Sequence, residues 1–152
     1  MAAAHDPGTS EVGVTAAMRT TASTREFTDR AVDDATREEL RKAAARRSVP
    51  VLGITGTGGS GKSSLTDELV RRFRIDQEDK LRIAILAVDP TRRRSGGALL
   101  GDRIRMNSID TPHVYFRSLA TRDAATEIPP CLPDAIAACA AWGADFVIVE
   151  TP

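Results

Sequence analysis

The sequence predicts an α/β fold with a mainly parallel sheet and flanking helices, and three observations carry that reading. Apolar runs ending in a polar or acidic residue recur at "VLGIT" (51–55), "RIAILAVD" (82–89) and "DFVIVE" (145–150). The run over 82–89 is almost continuously apolar, as expected of a strand buried on both faces of a parallel sheet. Helical patterns lie between the runs, and strands alternating with helices give this architecture.

Residues 1–32 are rich in Ala, Thr, Gly and Ser without apolar periodicity, so they are expected to form a disordered leader or linker. Residues 33–48 read as a connecting helix outside the core. Thr36 with Glu39 fits a capping box, Glu38 and Lys42 pair at i,i+4, and the apolar stripe (Leu40, Ala43, Ala44) is thin. The main domain is expected over residues 49–152. "VLGIT" is its first strand, and 62–73 is a helix with Leu65, Leu69 and Phe73 on one face and Asp67–Arg71 and Glu68–Arg72 pairs outside. "HVYFRSL" (113–119) is a further strand. "PDAIAACAAW" (133–142) is a helix, opened by Pro133 and stopped by Gly143.

Composition narrows the function classes. The 21 basic and 21 acidic residues balance, which argues for neither nucleic acid nor a membrane surface as partner. No run approaches the length of a membrane span, and the N-terminus lacks a signal-peptide layout, so a cytoplasmic location is expected. Cys131 and Cys139 lack zinc-site spacing and read as small apolar residues on one helix, free thiols in a reducing compartment. His113 starts a strand, Tyr115 and Trp142 read as core or interface residues, and no nucleophile triad can be argued from spacing.

The chemistry concentrates in "GITGTGGSGKSS" (53–64). Residues 56–63 match G-x-x-x-x-G-K-[ST] between a strand and a helix. Glycines let successive backbone N–H groups turn inward, and the helix start adds unpaired donors and a positive dipole end. Lys62 can reach β- and γ-phosphates, and the Ser63 hydroxyl is placed to ligate Mg²⁺. This is the P-loop of a nucleoside triphosphate site. Asp89 and Glu150 end strands where a doubly wound sheet binds its ligands, and each can hold Mg²⁺ directly or through water. "DPTRRRSGGALLGDRIRMN" (89–107) lies between them. An arginine run such as Arg92–Arg94 is usually a solvated loop, while Gly96-Gly97 also suits a segment ordered by the γ-phosphate.

Three blocks, "VPVLGITGTGGSGKSSLTDELVRRF", "AVDPTRRRSGGALLGDRIRMN" and "FVIVETP", closely resemble the GTPase domain of fused isobutyryl-CoA mutases. That domain is similar to the stand-alone GTPase chaperones of methylmalonyl-CoA mutase. The resemblance spans about residues 45–152, and its second block is far more specific than the P-loop.

The resemblance implies a P-loop GTPase that uses GTP and Mg²⁺ and gates adenosylcobalamin loading and protection on an acyl-CoA mutase, in cis or in trans. Adenosylcobalamin would belong to the mutase partner or to domains outside this chain. Gly59, Ser60, Gly61, Lys62, Ser63, Ser64 and Arg105 would contact the nucleotide, with Lys62 stabilising developing phosphate charge. Ser63, Val88 (through its carbonyl), Asp89, Asp102, Glu150 and Thr151 match the magnesium-site positions. Pairing of two copies into a homodimer is left open.

The family's later "GQ" switch pair, its guanine-reading Asn-Lys-x-Asp segment, the D-x-H-x-x-G cobalamin signature and the mutase barrel have no counterpart here. The chain therefore reads as the first half of the GTPase domain, and a sheet stopping at "FVIVE" is expected to expose its last strand as an apolar edge. Two other readings stay open: a different P-loop class, such as an ATP-dependent kinase or partitioning ATPase, and a non-catalytic remnant.

Overall fold

Each apolar run forms a strand and each periodic segment a helix. The computed structural model describes residues 32–90, 106–121 and 128–152. Residues 1–31 of the expected leader (1–32), the Arg92–Arg94 run, Gly96-Gly97, Asp102 and Arg105 lie outside the described residues. In chain order the elements are α1 (Asp34–Ala45), β1 (Val51–Thr55), α2 (Lys62–Asp76), β2 (Ile83–Pro90), β3 (Val114–Thr121), α3 (Leu132–Trp142) and β4 (Phe146–Thr151).

The strands form one sheet in the order β1-β4-β2-β3, with every pairing parallel. Side chains alternate across it, as the strand repeat requires. Ala84, Leu86, Val88, Val147 and Val149 join one buried cluster with Leu132, Cys139 and Trp142 of α3. Ile83, Ile85 and Ile148 join the opposite cluster with Val70 of α2, together with Met106, Ile109 and Val114. One helix thus covers each face.

The expectation of an exposed last strand is corrected by this order. β4 is inserted between β1 and β2, and Val147, Ile148, Val149 and Glu150 are all buried. The edge falls on β1 instead, where Val51 is 48% and Leu52 36% exposed. Chain order does not give spatial order in a doubly wound sheet, because a crossover skips a strand position that a later strand fills.

Two helix details also differ from expectation. On α2 the buried residues are Thr66 and Val70, while Leu65 is 51% exposed. A period of 3.6 fixes the width of a stripe but not its phase, and here the phase is set by a threonine that polarity alone assigns to solvent. On α1 the N-cap is Asp33, whose Oδ1 accepts from the Thr36 N–H at 2.7 Å, so Thr36 lies within the first turn rather than capping it. The Glu38–Lys42 pair is present at 3.8 Å.

Of the outer α2 pairs, Glu68–Arg72 forms as expected and Asp67–Arg71 does not. Glu68 takes both Arg71 and Arg72, at 2.8 and 2.7 Å. Asp67 accepts from the Ser108 N–H at 2.9 Å instead of pairing with Arg71, and Arg74 donates to the Ser108 carbonyl at 2.9 Å. These two bonds hold the 106–113 segment so that Met106 and Ile109 reach the core. α1 has no buried residue and lies against α3, where Arg41 donates twice to Asp134 Oδ1, at 3.0 and 2.8 Å. A partly exposed pair of this kind contributes about 0.2–1 kcal/mol, consistent with a connecting helix.

Cys139 is buried within α3, whereas Cys131 is its exposed N-cap residue, so only the first behaves as a small apolar side chain. Trp142 and Tyr115 pack together with ring centroids 6.0 Å apart, in the core as expected. Among the described residues no helix is long and apolar enough to cross a membrane.

Candidate functional site

The site lies at the carboxyl ends of β1 and β4. Their parallel register sets Ile54 beside Glu150 and Thr55 beside Thr151, so the glycine loop leaves β1 next to the end of the central strand. The Thr55 hydroxyl donates to the Pro152 carbonyl at 2.9 Å, tying the two strand ends together.

Within the loop Gly59 and Gly61 have φ of +81° and +86°, a left-handed backbone that side chains other than glycine enter at a cost. Gly61 is the N-cap of α2, and no side chain caps the helix. Its carbonyl accepts the first helical bond, from Leu65 N–H at 2.9 Å. The N–H groups of Lys62, Ser63 and Ser64 precede that bond and have no intrahelical acceptor. The first turn carries no acidic residue. Unpaired donors, a positive dipole end and no local negative charge form a cradle suited to an anion.

Lys62 folds back over this loop. Its Nζ donates to the carbonyls of Gly56 and Thr57, the latter at 3.1 Å. A Cβ added at Gly56 would lie 3.1 Å from Ser60 Oγ, a tight contact, and 3.7 Å from Lys62 Cδ, an ordinary one.

Glu150 is the buried acid of the site, 4% exposed. Strand alternation puts it on the α2 face with Ile148, and Ser63 Oγ donates to its Oε2 at 3.2 Å. The other oxygen, Oε1, accepts from the hydroxyl of Thr66, a residue sequence reasoning missed. The available signal was its position one helical turn after Ser63.

The remaining expected residues divide. Val88 belongs to the α3-side cluster, so its side chain packs in the core and only its backbone is available to the site. It lies one residue past the last β2–β4 pair, Ala87 with Glu150. Asp89 follows it in β2, paired with Ala120 of β3. Thr151 alternates away from Glu150 along β4, half-buried. Gly59, Ser60, Gly61 and Ser64 are exposed along the loop.

The donor chemistry fits a magnesium ion. Ser63 and Glu150 offer oxygens only, and the buried carboxylate forms no ion pair with Lys or Arg among the described residues. A buried carboxylate held by neutral hydroxyls leaves its negative charge to be matched by a cation. No three His, Cys, Asp or Glu side chains cluster among the described residues. A hard cation here would keep waters and share phosphate oxygens, the usual habit of Mg²⁺.

The family model for methylmalonyl Co-A mutase-associated GTPase MeaB matches residues 16–152. A fused isobutyryl-CoA mutase of Nocardia farcinica is 70% identical over 122 residues, covering 80% of this chain and 11% of the relative. A putative GTPase of Pyrococcus abyssi is 40% identical over 121 residues, covering 75% of this chain and 36% of the relative. The mitochondrial methylmalonic aciduria type A homolog of Caenorhabditis elegans is 32% identical over 119 residues, covering 78% and 29%. The chain thus spans about a tenth of the fused mutase and about a third of the smaller relatives.

Proposed function

Because the chain belongs to the methylmalonyl-CoA mutase-associated GTPase family MeaB, we propose that it forms the phosphate- and magnesium-binding part of a GTPase that serves an adenosylcobalamin-dependent acyl-CoA mutase. The observation that carries the reading is the pairing of an uncapped, glycine-opened helix start with a buried carboxylate bonded to Ser63. The loop N–H groups of residues 59–64 bind the phosphates. Lys62 exchanges its carbonyl bonds for the β- and γ-phosphates, and Arg105 adds a nucleotide contact. Ser63, Glu150, Asp89, Asp102, Thr151 and the Val88 carbonyl hold Mg²⁺ directly or through water. When bound, the ion neutralises charge on the phosphate oxygens.

The chain's own residues act by position and charge. Loop N–H groups and Lys62 fix the γ-phosphate and stabilise the charge that develops as water attacks in line. GTP turnover is coupled to cofactor loading and protection on the mutase, in cis or in trans, in the cytoplasm.

Calorimetry with GTP and ATP, each with Mg²⁺ and with EDTA, tests the proposal. The unaltered chain is expected to bind triphosphate more tightly with Mg²⁺, and Lys62→Ala to bind none measurably. Equal binding by that variant would remove the phosphate role from the loop.

A further inference from the structure

Thr66 is fully buried at 0% exposure, within a helix and facing the sheet. Valine has nearly the same shape, so burial alone gives no reason for a hydroxyl at this place. A buried hydroxyl must be satisfied, and in helices it commonly bonds back to the carbonyl four residues earlier. Here it donates instead to Glu150 Oε1, 84 residues away in the chain.

Ser63 and Thr66 are three residues apart on α2 and share one helix face. Their hydroxyls take one oxygen each of the same carboxylate, Oε2 for Ser63 and Oε1 for Thr66. The two bonds are not equivalent. Ser63 lies in the first turn at the phosphate loop, where its oxygen has a second use. Thr66 lies one turn deeper and has none. When the Ser63 hydroxyl turns to another ligand, the Thr66 bond is the one that keeps the Glu150 carboxylate in place.

We propose that Thr66 is a positioning residue, which fixes Glu150 beside Ser63 so that hydroxyl and carboxylate present their oxygens together to the nucleotide's divalent cation. This role rests on the proposed nucleotide reading and names a residue outside the expected site. Loss of a group that orients a metal ligand lowers metal affinity about 10- to 100-fold.

The test compares Thr66→Val, which keeps the shape and removes the hydroxyl, with Thr66→Ser, which keeps the hydroxyl. Calorimetric GTP affinity is measured with Mg²⁺ and with EDTA, and Mn²⁺ binding is followed by electron paramagnetic resonance. The valine variant is expected to lose about 10- to 100-fold of the metal enhancement while binding GTP in EDTA unchanged. The serine variant is expected to retain the enhancement. Full metal enhancement in the valine variant would overturn the role and leave the nucleotide site standing. If valine prevents folding, the serine variant decides, since loss of enhancement with the hydroxyl retained would overturn the role equally. Absence of metal-enhanced binding in the unaltered chain would overturn both the nucleotide reading and this role.

Discussion

Ser63, on the first turn of α2, donates to Glu150 Oε2 at the end of β4 across 3.2 Å and 87 residues of chain. The bond joins the start of the phosphate loop's helix to a central strand of the sheet. Its removal therefore separates a binding effect from a folding effect. Ser63→Ala is expected to reduce the Mg²⁺ enhancement of GTP affinity by at least about 10-fold, since it removes a proposed ligand rather than a supporting group. Glu150 keeps its Thr66 bond, so the thermal midpoint should move little. A calorimetric titration beside a melting curve checks both halves.

Gly61→Ala is expected to destabilise the chain by about 1–2 kcal/mol, the cost of a left-handed backbone for a residue with a Cβ. No atom lies within 4 Å of where that Cβ would fall, so the cost is backbone strain alone. Gly58→Ala is the control. Its Cβ also meets open space, and its φ is not in the left-handed range, so the change should stay within about 0.5 kcal/mol. Urea unfolding midpoints of the two variants separate left-handed strain from the general effect of adding a Cβ.

The thiols should differ sharply. Cys131 is exposed, while burial pushes the Cys139 thiol from 9.0 up to about 12. A thiol reagent at mild alkaline pH should label Cys131 quickly and Cys139 only on unfolding. In the unfolded chain Cys139 loses its proton first, so the native state holds more protons between these values. Its contribution to stability is complete below pH 9.0 and is lost as pH rises toward about 12. Rapid labelling of both thiols in the folded chain would contradict this.

On the outer face of α2, hydrogen bonds from Arg71 and Arg72 hold the Glu68 carboxyl down from 4.5 to about 2. The sign is that of a depressed acid. Its contribution is present above pH 4.5 and is lost as pH falls toward about 2. The carboxylate faces solvent, so the effect should weaken with salt. Side-chain NMR titration should give a midpoint well below the ordinary carboxylate range, and replacing both arginines with alanine should restore it.

Much of this organisation was legible in the residues. Apolar runs over 82–89 and 145–150 became strands within a residue or so because a parallel sheet buries both faces and leaves a continuous signal, and the run over 51–55 became a strand although it lies at the exposed edge. The P-loop was legible because its spacing is fixed by phosphate geometry, and its helix starts at Lys62 as expected. The position of β4 was not legible, since a crossover leaves no mark in the strand that fills the gap. Nor was the phase of α2, where Thr66 reads as polar until its partner is known. The capping of α1 was misplaced because Asp33 and Thr36 are both competent caps, and only backbone geometry selects Asp33.

The sheet order also carries a consequence for synthesis. Among the described residues β1 pairs with β4 alone, and β4 leaves the ribosome after β2 and β3. Until Phe146–Thr151 has emerged, the strand that launches the glycine loop lacks its one neighbour among the described residues, while β2 and β3 can already pair. Closing so long a loop is slow compared with local helix formation. The glycine-loop cradle is therefore expected to assemble late, once β4 and its Glu150 have joined the sheet beside it.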